Sequence, residues 1–153
     1  MEDSHLTLVE GVVVILDLDR FSDLTKSMGW DEYKPNIVTG TLTQLVEEFV
    51  RKYSANVLYG LDPERGTEEA VIEIPFVKPE EIINDLRKIK HEIEKTGATI
   101  SIGVAYGPLE PIKPKNRRNA YTGVTRRRAY KALREAKRRG GNRIVIYGIG
   151  VVD

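Results

Sequence analysis

No cysteine occurs among the 153 residues. That excludes a disulfide framework, a thiolate metal site and a cysteine nucleophile. Histidine is almost as scarce, and the two present, His5 and His91, are far apart. His5 falls in a polar N-terminal stretch. His91 falls in the charged run 88–95, which reads as a solvated helix face. Neither supports a histidine zinc site or a catalytic triad. Long apolar runs are missing too: nothing approaches the roughly 20 residues of a membrane span. The acidic start, Met1-Glu2-Asp3-Ser4-His5, lacks a signal-peptide pattern. The expectation is a soluble, cytoplasmic chain forming one domain over residues 1–153, long enough to bury a core without staples. Abundant Lys, Arg and Glu without cysteine also suits a thermophile.

The formal charge of +1 hides an asymmetry. Residues 110–143 hold thirteen Lys/Arg against two Glu, so the rest of the chain carries −10. An acidic N-terminal part facing a basic C-terminal part suggests a cleft between opposite fields. A metal would suit one wall and phosphates the other. The same basic run also fits a solvated helix face.

The most informative stretch is Val12-Val13-Val14-Ile15-Leu16-Asp17-Leu18-Asp19-Arg20-Phe21. A continuous aliphatic run reads as a strand buried on both faces. Asp17 and Asp19, two positions apart at its end, point to one side. Open α/β sheets bind ligands at such strand ends, and two acids there suggest a divalent cation with a phosphate-bearing substrate.

Further along, apolar spacing predicts a helix over 36–53 after Pro35. Strands over 55–61 and 69–76, joined by the turn-rich 62–67, form a hairpin. An amphipathic helix spans 79–95 and stops at Gly97. A strand follows over 98–106, then a polar loop over 108–119. Thr122 or Thr125 opens the next helix, Gly140-Gly141 ends it, and residues 143–149 form the last strand. A hairpin flanked by helical crossovers is a ferredoxin-like α/β sandwich, an α+β fold with a mostly antiparallel sheet.

Four segments carry a resemblance to a known family. Leu16-Asp17-Leu18-Asp19-Arg20-Phe21 looks like a D-x-D-x-F start. Residues 65–72, Arg-Gly-Thr-Glu-Glu-Ala-Val-Ile, look like a GGDEF or GGEEF hairpin with its A-V-I strand. Residues 99–105 match T-I-S-I-G-V-A, and residues 132–144 look like A-L-x-x-A-K-x-x-G-R-N-R-I. The chain resembles GGDEF domains, the diguanylate cyclase-like branch of the nucleotidyl cyclase and palm polymerase group.

The resemblance implies that Asp17 binds Mg²⁺ (or Mn²⁺), with Leu18 offering its backbone carbonyl. The hairpin supplies a second carboxylate. One alignment makes that residue Glu68; aligning on Ala70-Val71-Ile72 puts Thr67 there instead and loses a ligand. Glu69 is the adjacent candidate. Asp19 becomes a supporting or structural acid. Lys137 matches the phosphate-contacting lysine, Gly66 retains one glycine of the motif's pair, and Phe21 belongs to the nucleotide-binding start. The family's following arginine is Gly141 here, with Arg138, Arg139 and Arg143 as nearby substitutes. The guanine-reading positions are Thr25 and the region of Tyr33-Lys34, which depart from the family pattern. No R-x-x-D inhibitory site precedes the hairpin.

The implied activity is that of a divergent nucleotidyl cyclase or nucleotidyltransferase. It would bind a purine nucleoside triphosphate, GTP or ATP, with Mg²⁺, and in the family two such domains meet as a homodimer. The alternatives are a catalytically degenerate nucleotide-binding or interaction domain, and a hydrolase similar to archaeal GTP cyclohydrolase III. Nucleic-acid binding through Arg126-Arg127-Arg128 and Lys137-Arg138-Arg139 is a weaker expectation, because aromatic interleaving is thin.

Overall fold

The computed structural model describes residues 9–110 and 114–152; His5 and Lys113 lie outside them. The elements run β1 (Glu10–Leu18), α1 (Phe21–Met28), α2 (Ile37–Tyr53), β2 (Asn56–Tyr59), β3 (Glu69–Pro75), α3 (Pro79–Glu94), β4 (Ile100–Pro108), α4 (Arg117–Ala120), α5 (Val124–Arg138), β5 (Ile144–Ile146) and β6 (Gly150–Val151). They build one sheet in the order β2-β3-β1-β4-β5-β6. The first four strands, with α2 and α3 as crossovers, form the ferredoxin-like unit that the sequence pattern implies. Among the described residues, β4 and β5 pair in parallel and the other ladders are antiparallel.

β1 lies at the centre, between β3 and β4. Its side chains alternate between two cores. Val12, Val14, Leu16 and Leu18 join the apolar faces of α2 and α3. Val13 and Ile15 face the other way, onto Ala129 and Leu133 of α5. Both faces are covered, which is why the strand is a continuous apolar run rather than an alternating one. Each such side chain contributes roughly 1.5–3 kcal/mol on burial. Gly103 on β4 lets α5 lie close: a Cβ there would stand 2.3 Å from the Ala129 carbonyl oxygen.

The helix starts follow local chemistry. Asn36 caps α2, its side chain accepting from the backbone N–H of Val38 and Thr39 at 3.0 Å, while its own N–H donates to Thr39 Oγ1. This is a capping box with threonine in the return position. α3 opens on Pro79, where a missing N–H costs nothing.

Three local expectations are corrected. Neither Thr122 nor Thr125 caps α5; Gly123 does, and the Thr125 hydroxyl donates to the Pro108 carbonyl at 2.6 Å, tying the helix to the end of β4. The end of the stretch expected as a loop over 108–119 is a helical turn, α4, capped by Asn116, whose side chain accepts from the Asn119 N–H at 3.0 Å. The last strand is interrupted: β5 ends at Ile146, and the chain turns back so that β6 pairs with it. Among the described residues, no helix is long and apolar enough to cross a membrane.

Candidate functional site

The C-terminal end of β1 carries the site. Asp17 is its penultimate residue and pairs with Glu69 of β3 on one side and Ser101 of β4 on the other. Directly opposed residues of an antiparallel pair share a face of the sheet. Asp17 and Glu69 therefore stand side by side on the face covered by α4 and α5. Burial pushes the Asp17 carboxyl up to about 6; Lys137 opposes that shift, and the neighbouring Glu69 and Asp19 add to it.

Asp19 has a different environment. Its carboxylate accepts from the hydroxyls of Thr99 and Ser101, each at 2.7 Å, from Lys137 Nζ at 2.9 Å and from the Asn142 N–H at 2.8 Å. Burial alone would raise this carboxyl, but the donors from Ser101, Lys137 and Thr99 hold it below its ordinary range. Asp19 joins the ends of β1 and β4 to the turn after α5.

Lys137, from the last turn of α5, sits over the same corner. Its ammonium donates to the carbonyls of Asp17 and Leu18 at 3.2 and 3.1 Å, and lies 3.7 Å from Asp17 Oδ1. The Leu18 carbonyl, which the family resemblance assigns to a metal, accepts from this lysine.

The hairpin divides its acids between two faces. Leu18 N–H donates to the Glu68 carbonyl at 3.0 Å, which makes Leu18 and Glu68 the next opposed pair. Glu68 lines a polar cavity of about 130 Å³ with Phe21, Thr25, Lys34, Asn36 and Arg65. Thr25 and Lys34, from the two stretches that the family resemblance gives to base reading, share one cavity with Phe21, whereas Tyr33 is exposed and does not line it. That volume falls below the roughly 300–1,000 Å³ of a whole-ligand pocket. Glu68 and Glu69 also both border a wider recess of about 360 Å³ beside Tyr59 and Asp62. Thr67 is fully buried, its hydroxyl 2.7 Å from that of Thr43 and accepting from the Asp62 N–H. It anchors the loop to α2 and presents nothing to a ligand. Gly66 belongs to that anchor as well: φ is +100°, and a Cβ would stand 2.2 Å from Thr39 Oγ1.

Glu69 is held from the opposite wall. Arg117 of α4 donates Nε to Oε1 at 2.8 Å and Nη2 to Oε2 at 3.2 Å, and the Tyr121 hydroxyl also donates to Oε2. Burial, then this contact with Glu69, pushes the Tyr121 phenol well above its ordinary range. The arginines that flank Gly141 turn elsewhere. Arg138 and Arg139 pair with Glu135 at 2.8 and 2.6 Å, and Arg143 Nε donates to the Arg139 carbonyl. The opposite fields read from the sequence meet here as ion pairs: Asp17, Asp19 and Glu69 against Lys137 and Arg117.

The donor set is hard oxygen, two carboxylates on adjacent strands, which suits Mg²⁺ or Mn²⁺. Among the described residues, no three His, Asp or Glu side chains converge as a closed metal cluster. The arrangement fits an ion held by one or two carboxylates and completed by phosphates and water, as Mg²⁺ usually is.

No family model and no curated protein sequence matches the chain. Solved structures do. The GGDEF domain of DgcB from Caulobacter crescentus, in complex with c-di-GMP, superposes with a TM-score of 0.61 at 19% identity, over 91% of this chain and 78% of that one. The chain has the fold of a GGDEF domain. The diguanylate cyclase SiaD of Pseudomonas aeruginosa, solved with its activator SiaC, gives 0.63 at 22% identity over 95% of this chain and 53% of that one. The guanylyl cyclase Cya2 gives 0.54 at 13% identity, over 92% and 77% of the two chains. The GGDEF-like fold is thus common to cyclases of more than one kind, and the site residues of this chain must be argued from their own positions.

Proposed function

We propose that the chain is a divergent nucleotidyl cyclase-like or nucleotidyltransferase-like protein that binds a purine nucleoside triphosphate with Mg²⁺ or Mn²⁺ at the end of β1. The observation that carries this reading is the direct cross-strand pairing of Asp17 with Glu69, beside the Lys137 ammonium. Asp17 and the hairpin acid facing it would hold the ion; of Glu68 and Glu69, Glu69 has the position opposite Asp17. A bound ion supplies charge neutralisation and orientation of phosphate oxygens. Lys137 fixes the two carbonyls at the strand end and presents a positive charge that needs no reorganisation as phosphate charge develops. The cavity at Phe21, Thr25 and Lys34 receives the base, and Glu68 borders it.

A second reading, a nucleotide-binding domain without catalysis, is favoured by one observation. Both members of the carboxylate pair already carry an internal cation, Lys137 at Asp17 and Arg117 at Glu69. A homodimer, each copy holding one nucleotide, belongs to the first reading.

Calorimetric titration with GTP and with ATP, with Mg²⁺ and with chelator, tests both readings against Asp17→Asn. Metal-dependent binding lost in the variant supports the site, and pyrophosphate release then separates cyclase or transferase from silent binding. An altered base spectrum without pyrophosphate would mark a ring hydrolase similar to GTP cyclohydrolase III. Binding that survives both chelation and substitution overturns the metal reading.

A further inference from the structure

Of the guanidiniums near the Asp17 site, Arg65, on the loop before β3, is engaged by the Glu32 carbonyl at 3.1 Å and by Glu68 at 3.8 Å. The turn after α5, next to Lys137, is closed to side chains at its nearest point. Gly141 has φ of +79°, and a Cβ there would stand 2.8 Å from the Asp19 carboxylate. The arginines just before it are held by Glu135. On the opposite wall, α4 delivers Arg117 onto Glu69. Its side chain is 58% exposed, so the guanidinium reaches the carboxylate from the solvent side, where a ligand would enter. It also lies over the Tyr121 ring, 5.3 Å from the centroid, which restrains the fork while leaving its donors at the rim.

From this geometry, and resting on the nucleotide–metal reading above, we infer that Arg117 is a phosphate-binding residue of the site, and that it reaches phosphate by exchanging places with a divalent cation on Glu69. Without metal, the guanidinium neutralises Glu69 through two parallel hydrogen bonds. A cation arriving between Asp17 and Glu69 takes over that charge. The planar fork then has a replacement acceptor of matching geometry in the ligand's phosphate oxygens, because carboxylate and phosphate both accept a guanidinium bidentately. Arg117 and Lys137 flank the metal-bound phosphates from opposite walls. Metal and guanidinium compete for Glu69 when alone and cooperate when phosphate is present.

That sign reversal is the test. Mn²⁺ binding without nucleotide and Mg²⁺–ATP and Mg²⁺–GTP binding are measured on the full chain, for the native protein, Arg117→Gln and Arg117→Lys, with adenosine and guanosine as phosphate-free controls. Arg117→Gln is expected to weaken triphosphate binding about ten- to a hundredfold, the loss of a charged hydrogen-bonding group. It should leave the nucleosides within about twofold and tighten Mn²⁺ alone several-fold by removing the competitor. Arg117→Lys should restore part of the triphosphate affinity. A merely structural role would weaken metal, nucleoside and triphosphate together and lower the melting temperature, and that result overturns the inference. Triphosphate affinity unchanged in Arg117→Gln, with Asp17→Asn still abolishing it, overturns the inference while sparing the site. If the native chain binds neither Mn²⁺ nor triphosphate, both fall.

Discussion

Asp17 and Glu69 stand opposite each other across the β1–β3 ladder, and each is met by a cation from an element more than forty residues away in sequence: Lys137 from α5, Arg117 from α4. Burial, with the neighbouring Glu69 charge adding to it, pushes the Asp17 carboxyl up to about 6.

This has a consequence for stability. The ordinary value for Asp17 is 3.8 and the folded one about 6, so between those pH values the folded chain holds a proton that the unfolded chain has released. Stability is lost as pH rises through that window. With chelator present, Asp17→Asn should therefore be more stable than the native chain above pH 6. The gain should be about 1 kcal/mol once solvent at the partly exposed carboxylate is discounted. The two should converge below about pH 4. Urea unfolding across the pH range reads this directly.

Asp19→Asn should do the opposite. Its carboxylate gathers donors from β4, α5 and the following turn, and it is held below its ordinary 3.8. Its contribution is present above that value and lost as pH falls through the lower folded one. The substitution removes a charge from beneath the Lys137 ammonium and should cost about 2–4 kcal/mol at pH 7. The difference should shrink on acidification below about pH 4. The same urea series checks it.

Buried at the base of the α4–α5 face, Arg126 donates to Glu73 at 3.0 Å, both side chains being almost fully enclosed. Arg126 also donates Nη1 to the Asn119 carbonyl of α4 at 3.3 Å, which helps seat the turn that carries Arg117. Arg126→Met leaves the Glu73 carboxylate enclosed without its cation and should destabilise by about 3–5 kcal/mol. The double substitution Arg126→Met, Glu73→Leu should recover most of that loss. Thermal unfolding of the single and double variants reads the difference.

The fold was legible where packing imposes a period. The apolar run of β1, the 3.6-residue stripes of α2 and α3 and the Gly140-Gly141 pair after α5 locate those elements to within a residue or two. The strand order follows from the hairpin between crossovers. What stayed hidden was register and the short turn. Whether Glu68 or Glu69 faces Asp17 depends on a one-residue slip that flips the side chain to the other face; the loop over 62–67, fixed by Thr67 on Thr43, sets it. α4 is a single turn with no apolar periodicity, so Arg117 and Tyr121 carried no signal, although Asn116 is a residue type that caps helices. The alternation of Thr99 and Ser101 was visible, but their common target, Asp19, required β4 to lie beside β1.

Crystals grown with Mn²⁺ and a non-hydrolysable triphosphate, with data collected at the manganese edge, would locate the ion. An anomalous peak within coordination distance of both Asp17 and Glu69, with the Arg117 guanidinium moved off Glu69 onto phosphate, is the expected result. A peak that lacks Asp17, or one on Glu68 at the α1–α2 cavity with Arg117 still paired to Glu69, would contradict the assignment.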